Sequence, residues 1–442
     1  MAKYVNNWKR LLSFKRVKID SKIPTKISLE GPRHSDRRSP YEVDYERIIF
    51  SYSLRRLAGK TQVHPFSDID YIHNRLTHSI EVSSVAYSLA FEVGKFLLQK
   101  RDIRKKDISD ICWITQAAGL AHDIGNPPYG HAGEDSIRLW AKKNEMSMAS
   151  KPFFPDFLNF DGNAQTFRLA SREDLRESTY LRFTAGTLGA IVKYPYTSDE
   201  GLKKPKFAAF STEKEILDAV WMELGLLRDG RRIRHPLSYL SEAADDICYR
   251  ISDFEDAVLM GVLTHKEVAD IFLKLLPPDL RQENRGKPIQ RLRALAIHNL
   301  IQQFVDVFQE NYDEIMDGTF IGDLRGKMTS TTKIALNVLE KKYGILFCAR
   351  KKVVVEISAY KQIAAILDLY RRIIDEALSM PISKRHFNRL SHCCQQLVLL
   401  AWGEKFYNKN AHKSEAWWMH TVLDYVVGMT DEYLHHISAE FM

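Results

Sequence analysis

Residues His78 to Leu98 read HSIEVSSVAYSLAFEVGKFLL. Apolar Val82, Val85, Leu89, Val93 and Phe96 recur at steps of three and four, which stacks them on one side of a helix. Working outward, similar stripes run through Ile108 to His122, Ile216 to Leu226, Leu237 to Phe254, Arg291 to Phe308, Val355 to Leu378 and Trp417 to Leu434. The expected fold is all-α, with Gly344 to Cys348 and Val353 to Val355 as the best candidates for short strands. Loop-forming residues gather at Gly125 to Gly133, Lys151 to Gly162 and Tyr194 to Lys206. A polar run from Leu276-Pro277-Pro278 to Lys287 marks the best internal boundary. It gives a basic arm at 1–40, a catalytic portion at 41–276 and a helical C-terminal portion at 277–442 that packs on it.

The 442 residues are 45% apolar and 27% charged, the composition of an ordinary globular protein. No run of eighteen apolar residues appears, and the first thirty lack a secretory stretch, so neither a membrane span nor export is expected. A cytoplasmic location follows as an expectation. Five cysteines, none in a C-x-x-C spacing, suggest reduced buried thiols. The net charge is +8, and residues 1–40 alone hold eleven basic side chains against three acids. The body is therefore neutral, which excludes a globally basic nucleic-acid binder and leaves a basic leader to explain.

Polar residues interrupt the apolar pattern in three places. Arg75-Leu76-Thr77-His78 opens one helix, and Ala121-His122-Asp123-Ile124-Gly125 closes another. His131 and Glu134 follow at a spacing that shares one helix face, and Asp245, Tyr249 and Asp253 stack at four-residue intervals on a third helix. An isolated His-Asp pair would ordinarily cap a helix. With these neighbours, the mixed imidazole and carboxylate set suits a divalent ion that retains open positions for water and phosphate oxygen. A solvated acidic face is the plain alternative for Asp245 and Asp253, and a surface cation the plain alternative for each basic residue.

The order His78, His122-Asp123, Asp245 resembles the metal signature of the HD-domain phosphohydrolase superfamily. The runs Asn74-Arg75-Leu76-Thr77-His78-Ser79, His122-Asp123-Ile124-Gly125-Asn126-Pro127-Pro128-Tyr129-Gly130-His131-Ala132-Gly133-Glu134, Gly162-Asn163-Ala164-Gln165-Thr166-Phe167-Arg168, Lys193-Tyr194-Pro195 and Gly428-Met429-Thr430-Asp431 narrow it. In order and over nearly the whole chain, they resemble the bacterial dGTP triphosphohydrolase family. The resemblance implies hydrolysis of a deoxynucleoside triphosphate to deoxynucleoside and tripolyphosphate, with dGTP as the first guess. It implies one divalent metal, Mn²⁺ or Mg²⁺ or another transition metal, on His78, His122, Asp123 and Asp245. Spacing to Tyr249 and Asp253 selects Asp245 over Asp246 by the family pattern.

His131 and Glu134 would be the catalytic pair. Tyr249 and Asp253 would face the sugar, and Arg75, Lys193 and Tyr194 the phosphates, with Lys60, Arg56 and Lys214 as further phosphate cations. A homo-oligomer, tetramer or hexamer, is implied too, with a nucleotide activator and single-stranded DNA as further partners. The rivals are an HD-type hydrolase of another nucleotide and a nucleic-acid-binding regulator with a secondary site. Asn126-Pro127 stands where alarmone hydrolases carry Glu-Asp, and the Gly-Tyr-Pro of the cyclic-dinucleotide class is absent.

Overall fold

A computed structural model describes residues 3–19, 27–31, 36–62, 71–172, 181–200, 206–347 and 350–441. Among them are 22 α-helices and two small antiparallel two-stranded sheets, a mostly α fold. The elements that shape the site are α1 (Val5–Leu11), β1 (Arg16–Ile19), β2 (Ile27–Glu30), α2 (Pro40–Ile49), α3 (Arg75–Gln99), α4 (Asp107–Ala121) and α5 (His131–Lys143). They continue with α6 (Gly162–Ser171), α7 (Ala185–Ile191), α8 (Pro236–Leu259), α9 (His265–Leu275), α10 (Ile289–Glu310), α11 (Arg350–Ser379), α12 (Glu415–Val427) and α13 (Asp431–Phe441).

The start of α3 is fixed locally. The Asn74 side chain accepts the Thr77 amide at 3.0 Å while the Thr77 hydroxyl accepts the Asn74 amide at 3.1 Å, so two orphan donors of the first turn are satisfied. That cap sets Arg75 and His78 on the first turn, with His78 on the buried face. Along the helix, Val82, Leu89 and Val93 are fully buried against α4 and α8. Gly119 lets α4 approach α3: a Cβ there would sit 3.1 Å from the Ala86 Cβ and 3.3 Å from the Ser83 Cα. Close approach at Gly119, one turn before His122, brings the His78 and His122 rings to 5.4 Å between centroids.

Two buried clusters result. One gathers α1, α3, α4, α7, α8, α9 and α10, and the other gathers α5, α11, α12 and α13 with the Phe153–Phe160 segment. The expected boundary at 276/277 falls between α9 and α10, which pack on each other within the first cluster. Polar side chains stitch the two clusters. The Arg168 guanidinium makes paired hydrogen bonds of 2.9 Å to both Asp424 oxygens, and the Gln165 amide donates to Asp424 at 2.7 Å.

Three expectations change. Residues 344–347 and 353–355 are helical, ending one helix and opening α11, and Cys348 lies outside the described residues. Tertiary packing of α11 on α5 and α12 overrides the strand preference of a few β-branched residues. The Trp417 to Leu434 stripe is two helices, because the Thr430 hydroxyl accepts the Tyr433 amide at 3.1 Å and caps a new start. The basic leader is not free. Trp8, Leu11 and Val17 are all buried to within 2% exposure, and the Trp8 indole N–H donates to the Tyr312 hydroxyl at 2.8 Å.

Several cations of this segment have partners inside the molecule. Lys15 pairs with Glu223 at 3.0 Å, Arg16 with Asp44, and Arg10 donates to the Glu223 carbonyl at 3.2 Å. Arg38 pairs with Asp36 and Glu46, and Lys22, Lys26 and Arg33 lie outside the described residues. No helix of the described residues is long and apolar enough to cross a membrane.

Candidate active site

The ends of α3 and α4 and the middle of α8 converge. His78 Nε2 lies 3.3 Å from Asp245 Oδ1, and His122 Nε2 lies 3.3 Å from Asp123 Oδ1 and 3.5 Å from Asp245 Oδ1. His78, His122 and Asp123 form a group that could hold a metal ion, each offering one ligand atom within 4.8 Å of the others. Asp245, not Asp246, faces the imidazoles. Asp246 lies 3.7 Å from Arg250, and burial pushes its carboxyl up to about 6.

The tautomer of His122 is set by its backbone. Its Nδ1 lies 2.8 Å from the Gly119 carbonyl, which can only accept, so Nδ1 carries a hydrogen and Nε2 is the atom turned to the cluster. Nε2 faces two carboxylate oxygens, which only accept when ionised. Such a cluster repels itself unless a proton or a cation sits among the three, and the donor chemistry of two imidazoles and two carboxylates fits a divalent metal. The His78 ring adds to the case, since its buried Nδ1 has no hydrogen-bond partner among the described residues.

Cations hold the outer faces of both carboxylates. Arg75 Nη1 is 2.5 Å from Asp123 Oδ2, and Lys193 Nζ is 2.7 Å from Asp245 Oδ2. Burial alone would raise the Asp123 carboxyl, but His122, Arg75 and His78 outweigh it and hold it at about 2. The same opposition, with Lys193 the largest favourable partner, keeps Asp245 well below the usual carboxylate range. Asn126, quoted in the sequence without a role, donates its amide to Asp123 Oδ1 at 2.5 Å.

His131 begins α5 and is almost fully exposed, while Glu134 beneath it is buried. His131 Nδ1 is 3.0 Å from Glu134 Oε2, and Glu134 Oε1 accepts the Gly162 amide at 2.8 Å. Burial works to raise the Glu134 carboxyl, yet His131, the Gly162 amide and Arg138 together lower it. An ionised carboxylate only accepts, so His131 carries its hydrogen on Nδ1 and turns Nε2 outward.

Three of the expected phosphate cations have partners other than this ring. Lys60 is buried, with Nζ donating to the Asn126 and Val427 carbonyls at 2.6 Å each. Lys214 pairs with Glu200 at 3.0 Å, and Arg56 lies against Gly428, where an added Cβ would strike its guanidinium. Tyr194 packs its ring under the Lys206 ammonium at 5.7 Å. Tyr249 is half-buried on the first core and Asp253 is buried.

A deoxyguanosinetriphosphate triphosphohydrolase-like protein of Pseudomonas aeruginosa is 39% identical over 375 residues, covering 78% of this chain and 83% of that protein. The chain belongs to this triphosphohydrolase family. A second relative so named, from Synechocystis, is 38% identical over 71% of this chain and 74% of its own. The deoxyguanosinetriphosphate triphosphohydrolase of Yersinia enterocolitica is 26% identical over 93% of this chain and 96% of its own. No family model matches the chain. Membership makes this protein a hydrolase.

One further cluster lies just outside the ring. His73 Nδ1 is 2.8 Å from Asp256 Oδ1, and Nε2 is 3.2 Å from Glu81 Oε1. Burial would lower this imidazole, but its hydrogen bonds to the Asp256 and Glu81 carboxylates outweigh it and raise it to about 10. A histidine raised from 6.5 lends stability that is fully present below pH 6.5 and lost as pH rises towards 10. The contribution, discounted for the part of the group that solvent screens, is on the order of 3 kcal/mol. Comparing urea midpoints of wild type and His73→Gln should show a wide gap at pH 6.5 that closes by pH 10; a constant gap would count against the charged pair.

Proposed function

We propose that this protein hydrolyses deoxynucleoside triphosphates, dGTP first among them, to deoxynucleoside and tripolyphosphate. The observation that carries the reading is His122 Nε2 facing the Asp123 and Asp245 carboxylates, in a chain of this family. His78, His122, Asp123 and Asp245 would hold one divalent ion, Mn²⁺ or Mg²⁺. When bound, the ion activates water and withdraws charge from an α-phosphate oxygen.

The chain's own residues do the rest. A triphosphate brings about four negative charges, which call for several fixed cations around it. Arg75 and Lys193 each keep spare N–H donors beyond their carboxylate bonds, and these orient the phosphates and balance charge as it grows at the attacked phosphorus. Tyr194 follows Lys193 along the same segment and joins it in contacting the chain of phosphates. His131 Nε2, free of Glu134, moves a proton between the water and the departing 5′ oxygen, and Glu134 stabilises the imidazolium formed when it takes one. Tyr249 packs under the deoxyribose, with Asp253 one turn further along the same face.

Purified protein with Mn²⁺ is expected to release tripolyphosphate from at least one dNTP. Detection of pyrophosphate or orthophosphate alone would overturn the reaction type. A panel of the four dNTPs, singly and in pairs, identifies the preferred base and any nucleotide activator. Including GTP tests Tyr249, since equal turnover of GTP and dGTP would remove its role against ribose.

A further inference from the structure

The turn from Val427 to Asp431 has no part in the chemistry above, yet it touches the site loop at two points. Asp431 is buried, accepting the Tyr129 amide on Oδ1 at 2.9 Å and the Thr61 amide on Oδ2 at 3.0 Å. Its backbone carbonyl accepts the Tyr129 hydroxyl at 3.1 Å. Four residues earlier, the Val427 carbonyl takes the Lys60 ammonium that also holds Asn126.

What these bonds restrain is an unusual backbone. Tyr129 has φ +61° and Gly130 φ +57°, two consecutive left-handed residues immediately before His131. Glycine adopts that region without penalty, and tyrosine does not. A non-glycine residue stays there only when its surroundings over-determine it. Here the amide and hydroxyl of Tyr129 both end on Asp431, with Gln362 as a further hydroxyl contact at 3.3 Å. The turn also brings Gly130 under Arg75, whose Nη2 lies 2.5 Å from where a Cβ would be.

We propose that Asp431 is a positioning residue: by holding Tyr129 left-handed, it fixes His131 and Glu134 relative to the ring of His78, His122, Asp123 and Asp245. Its consequence for turnover rests on the triphosphohydrolase reading; its consequence for the loop does not. Asp431 touches no substrate in this scheme. It acts through the backbone, from the second core onto a loop anchored in the first.

The test compares full-length wild type with Asp431→Ala by hydrogen–deuterium exchange and by dGTP turnover with Mn²⁺. Amides of residues 124–131 in the variant should exchange at least about tenfold faster, with residues 78–98 unchanged. Turnover number should fall about thirtyfold with KM within about threefold, as expected when alignment and not binding is lost. In a Tyr129→Gly background, where the left-handed turn no longer needs holding, adding Asp431→Ala should cost at most about threefold. A merely structural Asp431 would cost the same in both backgrounds, which overturns the proposal. Should the alanine variant fail to fold, Asp431→Asn keeps the shape and one acceptor and should show intermediate exchange. Unchanged exchange at 124–131 in the folded variants overturns the proposal whether or not wild type is active. Faster exchange in a protein whose wild type has no turnover upholds the positioning and instead removes the triphosphohydrolase reading.

Discussion

On the proposed function, replacing Asp123 by alanine is expected to abolish metal-dependent tripolyphosphate release, a loss of at least about a thousandfold where an ion would be held by only a few ligands. The size follows from three contacts on one carboxylate. Asp123 flanks His122 Nε2 at 3.3 Å, holds Arg75 at 2.5 Å and accepts Asn126 at 2.5 Å. Alanine leaves the Arg75 guanidinium buried without its counter-charge, a defect that costs about 3–5 kcal/mol on its own. Activity and stability would then fall together. Asp123→Asn separates them, since it keeps the shape and removes the charge. The asparagine variant, which still offers Arg75 an acceptor oxygen, should keep a higher urea midpoint than the alanine variant, bind Mn²⁺ far more weakly by calorimetry, and lose turnover. Turnover within about tenfold of wild type in a folded Asp123→Asn protein would show that the ion, or the chemistry, lies elsewhere.

Deleting residues 1–26 should leave no soluble, folded protein. As a flexible leader this segment would be dispensable, but Trp8, Leu11 and Val17 are core residues and the Tyr4 amide is bonded to Asp102 at 3.0 Å. The backbone amides of Ala185 and Gly186 also donate to the carbonyls of Lys15 and Ser13, at 2.8 and 2.9 Å, so the start of α7 loses partners as well. Removing a buried tryptophan side chain costs about 3–5 kcal/mol, and the whole molecule has only about 5–15 kcal/mol to lose. Trp8→Ala is the milder probe. It should lower the urea midpoint markedly while the surviving folded fraction keeps its turnover per active site. A truncated protein of wild-type solubility, helicity and activity would show that the segment does not pack as described.

The helices were legible because burial imposes a period: Val82, Leu89 and Val93 face the core where their spacing puts them. The ring was legible through chemistry-bearing residues placed against apolar pattern at His78, His122, Asp123 and Asp245, and the structure brings these four side chains together. What the sequence could not disclose were partners chosen over long separations. Asp424 meets Arg168 across 256 residues and Asp431 meets Tyr129 across 302, and although Arg168, Tyr129 and Asp431 stand in runs that carry the resemblance, nothing local to them names the partner. The same holds for Lys60, whose positive charge reads as a phosphate donor until two carbonyls are seen around it. Charge count alone also misread the first residues, where the signal that mattered was Trp8 and Val17 among the lysines.

The division into two buried clusters has a consequence for how the molecule can fail. His78, His122 and Asp245 stand on helices of the first cluster, whereas α5, which carries His131 and Glu134, is packed against α11 in the second. Proteins open in cooperative units smaller than the whole, each with its own free energy. A local opening of the second unit would leave the ring of imidazoles and carboxylates formed while releasing His131 and Glu134, the pair proposed to move the proton. Damage to Val422 or Leu434, far from any phosphate, is therefore transmitted to the chemistry as a smaller fraction of competent molecules.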